Sequence, residues 1–236
     1  MNKGVLYLLP TTLGDSDLSA VLPILNQKIA ISLRYFIVEE LRTARRFLKK
    51  VDAGFDIDGS RFFVLNEHTS PQQVSDFLAP LRDGQDMGLL SEAGCPAVAD
   101  PGADAVAIAQ QEGIKVVPLV GPSSILLALM GSGFNGQRFS FRGYLPLEAG
   151  TRAKEWKRME TRIYQESETQ IFIEAPYRNC KLVADLLAHC LPTTRLCIAC
   201  DLTLPDQLLV TRTVAQWRQT GIPDIDKRPT IFLLYR

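Results

Sequence analysis

The chain has 236 residues, 46% apolar and 22% charged, a globular composition that is neither disordered nor fibrous and that can bury a sizeable core without disulfides or metals. Twenty-six basic residues balance 26 acidic ones, which argues against a coat-like nucleic-acid binder and leaves room for local basic patches. The longest apolar runs, such as Ile125 to Met130, fall far short of the ~20 residues needed to span a bilayer. The start, Met1-Asn2-Lys3-Gly4, carries no secretory h-region, so the expected compartment is the cytosol and no membrane contact is expected.

In chain order, apolar runs predict strands at Val5 to Leu9, Tyr35 to Val38, Arg61 to Leu65, Met87 to Leu90 and Lys115 to Val120. Helices are predicted between them at Asp17 to Gln27, Glu39 to Val51, Pro71 to Arg82 and Gly102 to Glu112, the last stopped by Gly113. Such alternation means an α/β fold with a parallel sheet covered on both faces. The pattern then changes. A helix at Ser123 to Gly131 precedes a strand at Arg138 to Gly143, a charged helix at Arg152 to Glu168, a strand at Gln170 to Glu174 and a helix at Asn179 to Leu191. Arg195 to Asp201 and Gln207 to Thr213 are close enough to pair, and Thr230 to Tyr235 is the last strand. Successive strands predict a mixed sheet. The expected division is a parallel-sheet domain over 1–118 and a mixed-sheet domain over 119–236, with the boundary near Pro118 to Gly121.

Two motif matches are set aside on physical grounds. Cys197 and Cys200 form a CxxC, but the segment reads as a strand, where residues three apart face opposite ways. Five cysteines without a leader do not make a disulfide framework, and with only two histidines, His68 and His189, a zinc site would have to be assembled from scattered pieces, so no metal is expected. Gly131-Ser132-Gly133-Phe134-Asn135-Gly136 matches GxGxxG, yet it follows a helix and precedes a strand, the reverse of a dinucleotide fingerprint.

The loops after three strands carry more. Leu9-Pro10-Thr11-Thr12-Leu13-Gly14-Asp15 follows the first, Ser91-Glu92-Ala93-Gly94-Cys95-Pro96 and Val98-Ala99-Asp100-Pro101-Gly102 the fourth, and Pro118-Leu119-Val120-Gly121-Pro122-Ser123-Ser124 the fifth. Open parallel sheets bind ligands at this edge, and small, hydroxyl and acidic residues let a small molecule approach the backbone.

These residues, with Glu39-Glu40-Leu41-Arg42-Thr43-Ala44-Arg45-Arg46, Asn66-Glu67-His68-Thr69 and Phe172-Ile173-Glu174-Ala175-Pro176-Tyr177-Arg178, resemble the tetrapyrrole methylase superfamily of S-adenosylmethionine-dependent methyltransferases. The chain is most similar to the bacterial branch that 2′-O-methylates a cytidine ribose of 16S rRNA. Thr12, Asp15, Leu41, Glu92 and Tyr177 stand where that branch has proline, asparagine, threonine, aspartate and histidine, and the chain stops at Arg236 without the further C-terminal segment often seen there, which fits a divergent paralogue. The resemblance implies a two-domain fold holding S-adenosylmethionine between the domains. Pro10, Ser91, Glu92, Ala93, Val98, Ser123 and Ser124 would line the pocket, with Ala175, Leu202 and Thr203 closing it from the second domain. It also implies a homodimer.

Methyl transfer from a sulfonium needs the acceptor aligned, and a base helps when the acceptor is a hydroxyl. Candidate catalytic residues are Glu39, Glu67 and His68, with Glu92 as a further carboxylate. The basic segments Arg34 to Lys50 and Arg152 to Arg162 fit phosphate contacts or solvated helix faces. Three functions follow: an rRNA or small-subunit ribose methyltransferase, a methyltransferase of a tetrapyrrole or other small molecule, and a non-catalytic cofactor-binding protein. On the first, Arg42, Arg45 and Arg46 are expected to hold RNA phosphates.

Overall fold

A computed structural model describes residues 3–236; Met1 and Asn2, which open the start discussed above, lie outside the described residues. The chain forms two compact units, one ending at Ser123 and one running from Ser124 to Arg236. Among the described residues, no helix is long and apolar enough to cross a membrane.

The first unit holds strands β1 (Val5–Leu9), β2 (Tyr35–Val38), β3 (Arg61–Val64), β4 (Met87–Leu90) and β5 (Lys115–Pro118). Its helices are α1 (Leu18–Val21), α2 (Ile24–Ser32), α3 (Leu41–Val51), α4 (Pro71–Phe77), α5 (Ala79–Arg82) and α6 (Gly102–Gln111). All neighbouring strands are parallel, in the order β3-β2-β4-β1-β5. Alternation along the strands sorts the core into two layers. Leu6, Leu8, Ile37 and Leu89 join Val74, Leu81, Ala105 and Ala109 of α4, α5 and α6. Leu9, Phe36, Val38 and Leu90 join Ala30, Ala44 and Leu48 of α2 and α3. Right-handed crossovers require this split: the chain winds one way through β1, β2 and β3, then the other way through β4 to β5. The reversal leaves β2 and β4 adjacent with their next connections diverging, which opens a crevice outside their carboxyl ends.

Two predicted helices are broken by proline. The one expected at Asp17 to Gln27 divides at Pro23, and its second part runs on to Ser32. The one expected at Pro71 to Arg82 ends at Phe77, because Pro80 lacks an N–H and its ring obstructs the carbonyl one turn back.

The second unit holds α7 (Ser124–Ser132), β6 (Phe139–Tyr144), α8 (Ala149–Glu166), β7 (Thr169–Ile173), a 3₁₀ turn (Pro176–Arg178), α9 (Asn179–His189), β8 (Arg195–Cys200), β9 (Leu208–Thr213), α10 (Val214–Thr220) and β10 (Thr230–Tyr235). The sheet order is β6-β7-β10-β8-β9, with β6 and β7 parallel and the remaining pairs antiparallel. This is the expected mixed sheet, including the β8–β9 pairing. One face buries Phe172, Leu196, Ile198 and Phe232 beneath Trp156, Met159, Val183 and Trp217. Phe172 stacks on Phe232 at 5.6 Å and meets the edge of Trp156 at 5.5 Å. Cys200 belongs to this layer, whereas Cys197 has the opposite parity on β8, so the CxxC thiols face apart. The glycine run 131–136 links the end of α7 to β6, as its flanking residues imply. α10 has no counterpart among the predicted elements; a capping box between Thr213 and Gln216 starts it.

Candidate functional site

In the first unit, residues 11–15 after β1, residues 91–93 after β4 and one face of α3 enclose a cavity of about 370 Å³. The α3 face presents Thr43, Ala44, Arg46, Phe47 and Lys50, the spacing of a single helical stripe. Glu40 caps that helix: its Oε2 accepts from the Thr43 backbone nitrogen at 2.7 Å and from the Thr43 hydroxyl at 3.0 Å.

A knot of hydrogen bonds fixes the other walls. The Gly94 carbonyl accepts from Thr11 N at 3.0 Å and from Ser91 Oγ at 2.8 Å, while Thr11 Oγ1 donates to the Ser91 carbonyl at 3.3 Å. Gly94 has φ +76°, and a Cβ there would stand 3.0 Å from Leu13 and 3.1 Å from the Pro122 carbonyl. A Cβ on Gly121 would stand 2.2 Å from Pro10. The three loops singled out in the sequence therefore converge.

Carboxylates gather at the β2–β4 crevice. Burial, then repulsion from Asp100 and Glu92, raises the Glu39 carboxyl above the usual carboxylate range, against a hydrogen bond from the Glu92 backbone. Glu92 is raised by burial and by Glu40 and Asp100, against hydrogen bonds from Thr43 and the Glu40 backbone. Asp100 is raised by burial, although its Oδ1 accepts from Gly102 N at 2.6 Å. Each of Glu39 and Glu92 thus binds the backbone of the other's loop.

Ser91, Glu92 and Ala93 line the cavity, with buried Pro10 directly behind Thr11. Glu39 sits beside Glu92. Glu67 and His68 are not brought there. They follow β3, the edge strand, with both side chains 85% exposed and 3.6 Å apart. Val98 is exposed between Ala97 and Ala99, which have φ +63° and +56°. Ser123 ends the first unit and Ser124 begins α7. In the second unit Ala175 follows β7 and Leu202 and Thr203 follow β8, strands that are parallel to each other across β10 and so end at one sheet edge. Glu174 Oε1 accepts from Ala175 N at 2.7 Å and from Arg178 Nε at 2.9 Å, which sets the Ala175 loop. Arg228 Nε donates to Asp201 Oδ2 at 2.7 Å beside Leu202. Asp201 and Thr203 hold φ +48° and +73°. Non-glycine residues in this region are strained, and such strain collects at ligand clamps.

Sequence reasoning left out Asp100 as a site carboxylate and Phe47 and Lys50 as cavity walls. The Asp-Pro-Gly helix start marked the first, and the i, i+4 spacing of Arg46 and Lys50 on a predicted helix marked the last. Of the arginines expected to hold phosphate, Arg46 lines the cavity, whereas the Arg45 guanidinium lies over the Phe62 ring at 5.6 Å.

A family model described as "Tetrapyrrole (Corrin/Porphyrin) Methylases" matches residues 17–217. A Vibrio cholerae protein named "Ribosomal RNA small subunit methyltransferase I" is 34% identical over 186 residues, covering 78% of this chain and 59% of that protein. An Escherichia coli O157:H7 protein of the same name is 33% identical over 189 residues, covering 79% and 61%. The chain thus spans about six tenths of the length of these relatives. Among solved structures, "Crystal structure of the methyltransferase CobJ" aligns over 99% of this chain and 94% of that one, with a TM-score of 0.64 and 15% identity, a likeness of fold.

Proposed function

We propose, because the chain belongs to the tetrapyrrole (corrin/porphyrin) methylase family, that it is an S-adenosylmethionine-dependent methyltransferase whose acceptor is a ribose 2′-hydroxyl of small-subunit rRNA. The observation that carries the acceptor is the name shared by relatives 33–34% identical over nearly four fifths of the chain. A homodimer in the cytoplasm completes the reading, with light scattering of the purified protein as the check on assembly.

The residues fit the cofactor. Bound S-adenosylmethionine would supply an electrophilic methyl group on a cationic sulfonium. A cation suits the carboxylates of Glu39, Glu92 and Asp100, whose mutual repulsion it would relieve. Ser91 and Ala93 offer small side chains and accessible backbone in the cavity wall, and Pro10 and Ser123 lie on the neighbouring loops. Val98, Ser124, Ala175, Leu202 and Thr203 remain proposed cofactor contacts.

The chain's own work is alignment and proton handling. Holding acceptor and methyl carbon in line supplies about 7–11 kcal/mol in well-oriented systems. Glu92 is the crevice carboxylate that lines the cavity, so its side chain is the group that would take the proton of the acceptor hydroxyl, the methyl group being supplied by the bound cofactor. Glu39, bonded to the Glu92 backbone, positions it.

Tritiated-methyl transfer to small ribosomal subunits lacking the modification, followed by mass-spectrometric mapping of ribose methylation, tests the reading. Label on a ribose of small-subunit rRNA is the expected result. Label confined to a porphyrinogen mixture run in parallel refutes the acceptor and keeps the methyltransferase. No label in either, with no thermal shift at saturating cofactor, refutes both.

A further inference from the structure

The cavity wall built by α3 is divided across the helix. Thr43 at its first turn stands next to Glu92. Ala44 and Phe47, three residues apart, form an apolar flank of the stripe, and Arg46 and Lys50, four residues apart, form a cationic flank beside it. A ligand matching this arrangement has a hydrogen-bonding group near Thr43, a flat apolar body against Ala44 and Phe47, and an anion beside that body on Arg46 and Lys50. Lys50 is not idle. Its Nζ donates to Asp15 Oδ1 at 2.6 Å and to the Ser16 carbonyl at 2.8 Å. Its side chain is 37% exposed and that of Asp15 98%, so the pair sits at the mouth in contact with water. An ion pair that exposed is held weakly and gives way to a stronger anion. Arg46, one turn earlier on the same stripe, also acts on Asp15 electrostatically.

We infer that the α3 stripe is the seat of one RNA nucleotide, its base against Phe47 and its phosphate on Arg46 and Lys50, and that Asp15 is a built-in competitor for Lys50 that the phosphate must displace. The inference rests on the reading that the acceptor is RNA. It assigns Asp15 a specificity role: its carboxylate lets only an anion stronger than itself engage Lys50. It also assigns the phosphate contacts to Arg46 and Lys50, with Arg45 committed to Phe62 instead.

The test is binding of a short fluorescein-labelled single-stranded oligoribonucleotide to the full chain by anisotropy, over a range of salt. Asp15→Asn removes the competing charge and keeps the shape, so RNA binds about two- to fivefold tighter. Lys50→Gln weakens binding and lowers the log–log salt slope by about 0.7. In the Lys50→Gln background Asp15→Asn gains less than it does in the parent, because Asp15 acts chiefly on Lys50 and only more weakly on Arg46. Phe47→Leu keeps an apolar filler in the core and costs about fivefold or more from lost stacking. A gain of affinity in Asp15→Asn cannot arise from damage to the fold. Unchanged affinity in Asp15→Asn, or an unchanged salt slope in Lys50→Gln, overturns the seat. If the parent nonetheless methylates rRNA, the acceptor reading survives and the nucleotide sits elsewhere. A parent with no RNA affinity, labelling porphyrinogen alone, overturns both.

Discussion

Gly94→Ala is the sharpest probe of the loop geometry that builds the cavity. Gly94 has φ +76°, where an L side chain costs about 1–2 kcal/mol. The new methyl would also stand 3.1 Å from the Pro122 carbonyl, which is backbone, and 3.0 Å from Leu13. The Pro122 carbonyl is the fixed obstacle, being backbone and accepting from Cys95 Sγ at 3.4 Å, whereas the end of the Leu13 side chain can swing into the cavity it lines. Overpacking of that kind adds about 1–3 kcal/mol. The expected loss is about 2–5 kcal/mol, a fall in melting temperature of roughly 4–20 °C by calorimetry. Gly113→Ala supplies the control. Gly113 has φ +64°, with nothing within 4 Å of where a Cβ would stand, so only the strain of about 1–2 kcal/mol remains. Equal losses in the two variants refute the crowding argument, and no loss in Gly94→Ala refutes the loop geometry itself.

Three further outcomes are expected. Burial and neighbouring carboxylates raise the Glu39 carboxyl, so its charged form costs stability above that raised value, and the cost vanishes as pH falls through it. Glu39→Gln should therefore melt higher than the parent at neutral pH and equally below the ordinary carboxylate range of about 4.3, with a constant difference across pH counting against the assignment. Asp185 Oδ2 accepts from Arg152 Nε at 2.7 Å and Trp156 Nε1 at 2.8 Å, so Asp185→Ala strands a buried guanidinium and an indole N–H and should cost about 3 kcal/mol in denaturant unfolding. Burial pushes the Cys197 thiol up to about 11 and raises Cys190 and Cys200, whereas Cys180 is exposed. A chromogenic thiol reagent at mild alkaline pH should thus react rapidly with Cys180, and a fast phase that persists in Cys180→Ser would contradict the burial pattern.

How much the sequence could reveal depended on whether the signal was local. Strands such as Tyr35–Val38 and Met87–Leu90 are apolar runs buried on both faces, and they stand where the apolar pattern puts them. The β1, β4 and β5 loops are marked by glycine, proline and hydroxyl content. Strand order is not local. Glu67 and His68 follow a strand of the same sheet, and nothing in their own residues says that β3 is the edge while β2 and β4 are neighbours. The same limit separates Arg45 from Arg46. Adjacent residues on a helix point about 100° apart, so the registry of α3 against the sheet decides which one meets the cavity. α10 is hard to see in the sequence because seven residues of mixed polarity show little periodicity, and only its capping box marks it.

The place of β10 in the second sheet also has a consequence for synthesis. The parallel sheet closes with β5 at Pro118, so the first unit has all its strands while the ribosome is still translating the other half. In the second unit, Thr230–Tyr235 lies between β7 and β8 and bonds to both. Until that final strand emerges, β6–β7 and β8–β9 are separate pairs with two unpaired inner edges, hydrophobic and exposed. Vectorial synthesis therefore delivers every strand of the parallel sheet early, and delivers the middle strand of the mixed sheet after the strands on either side of it.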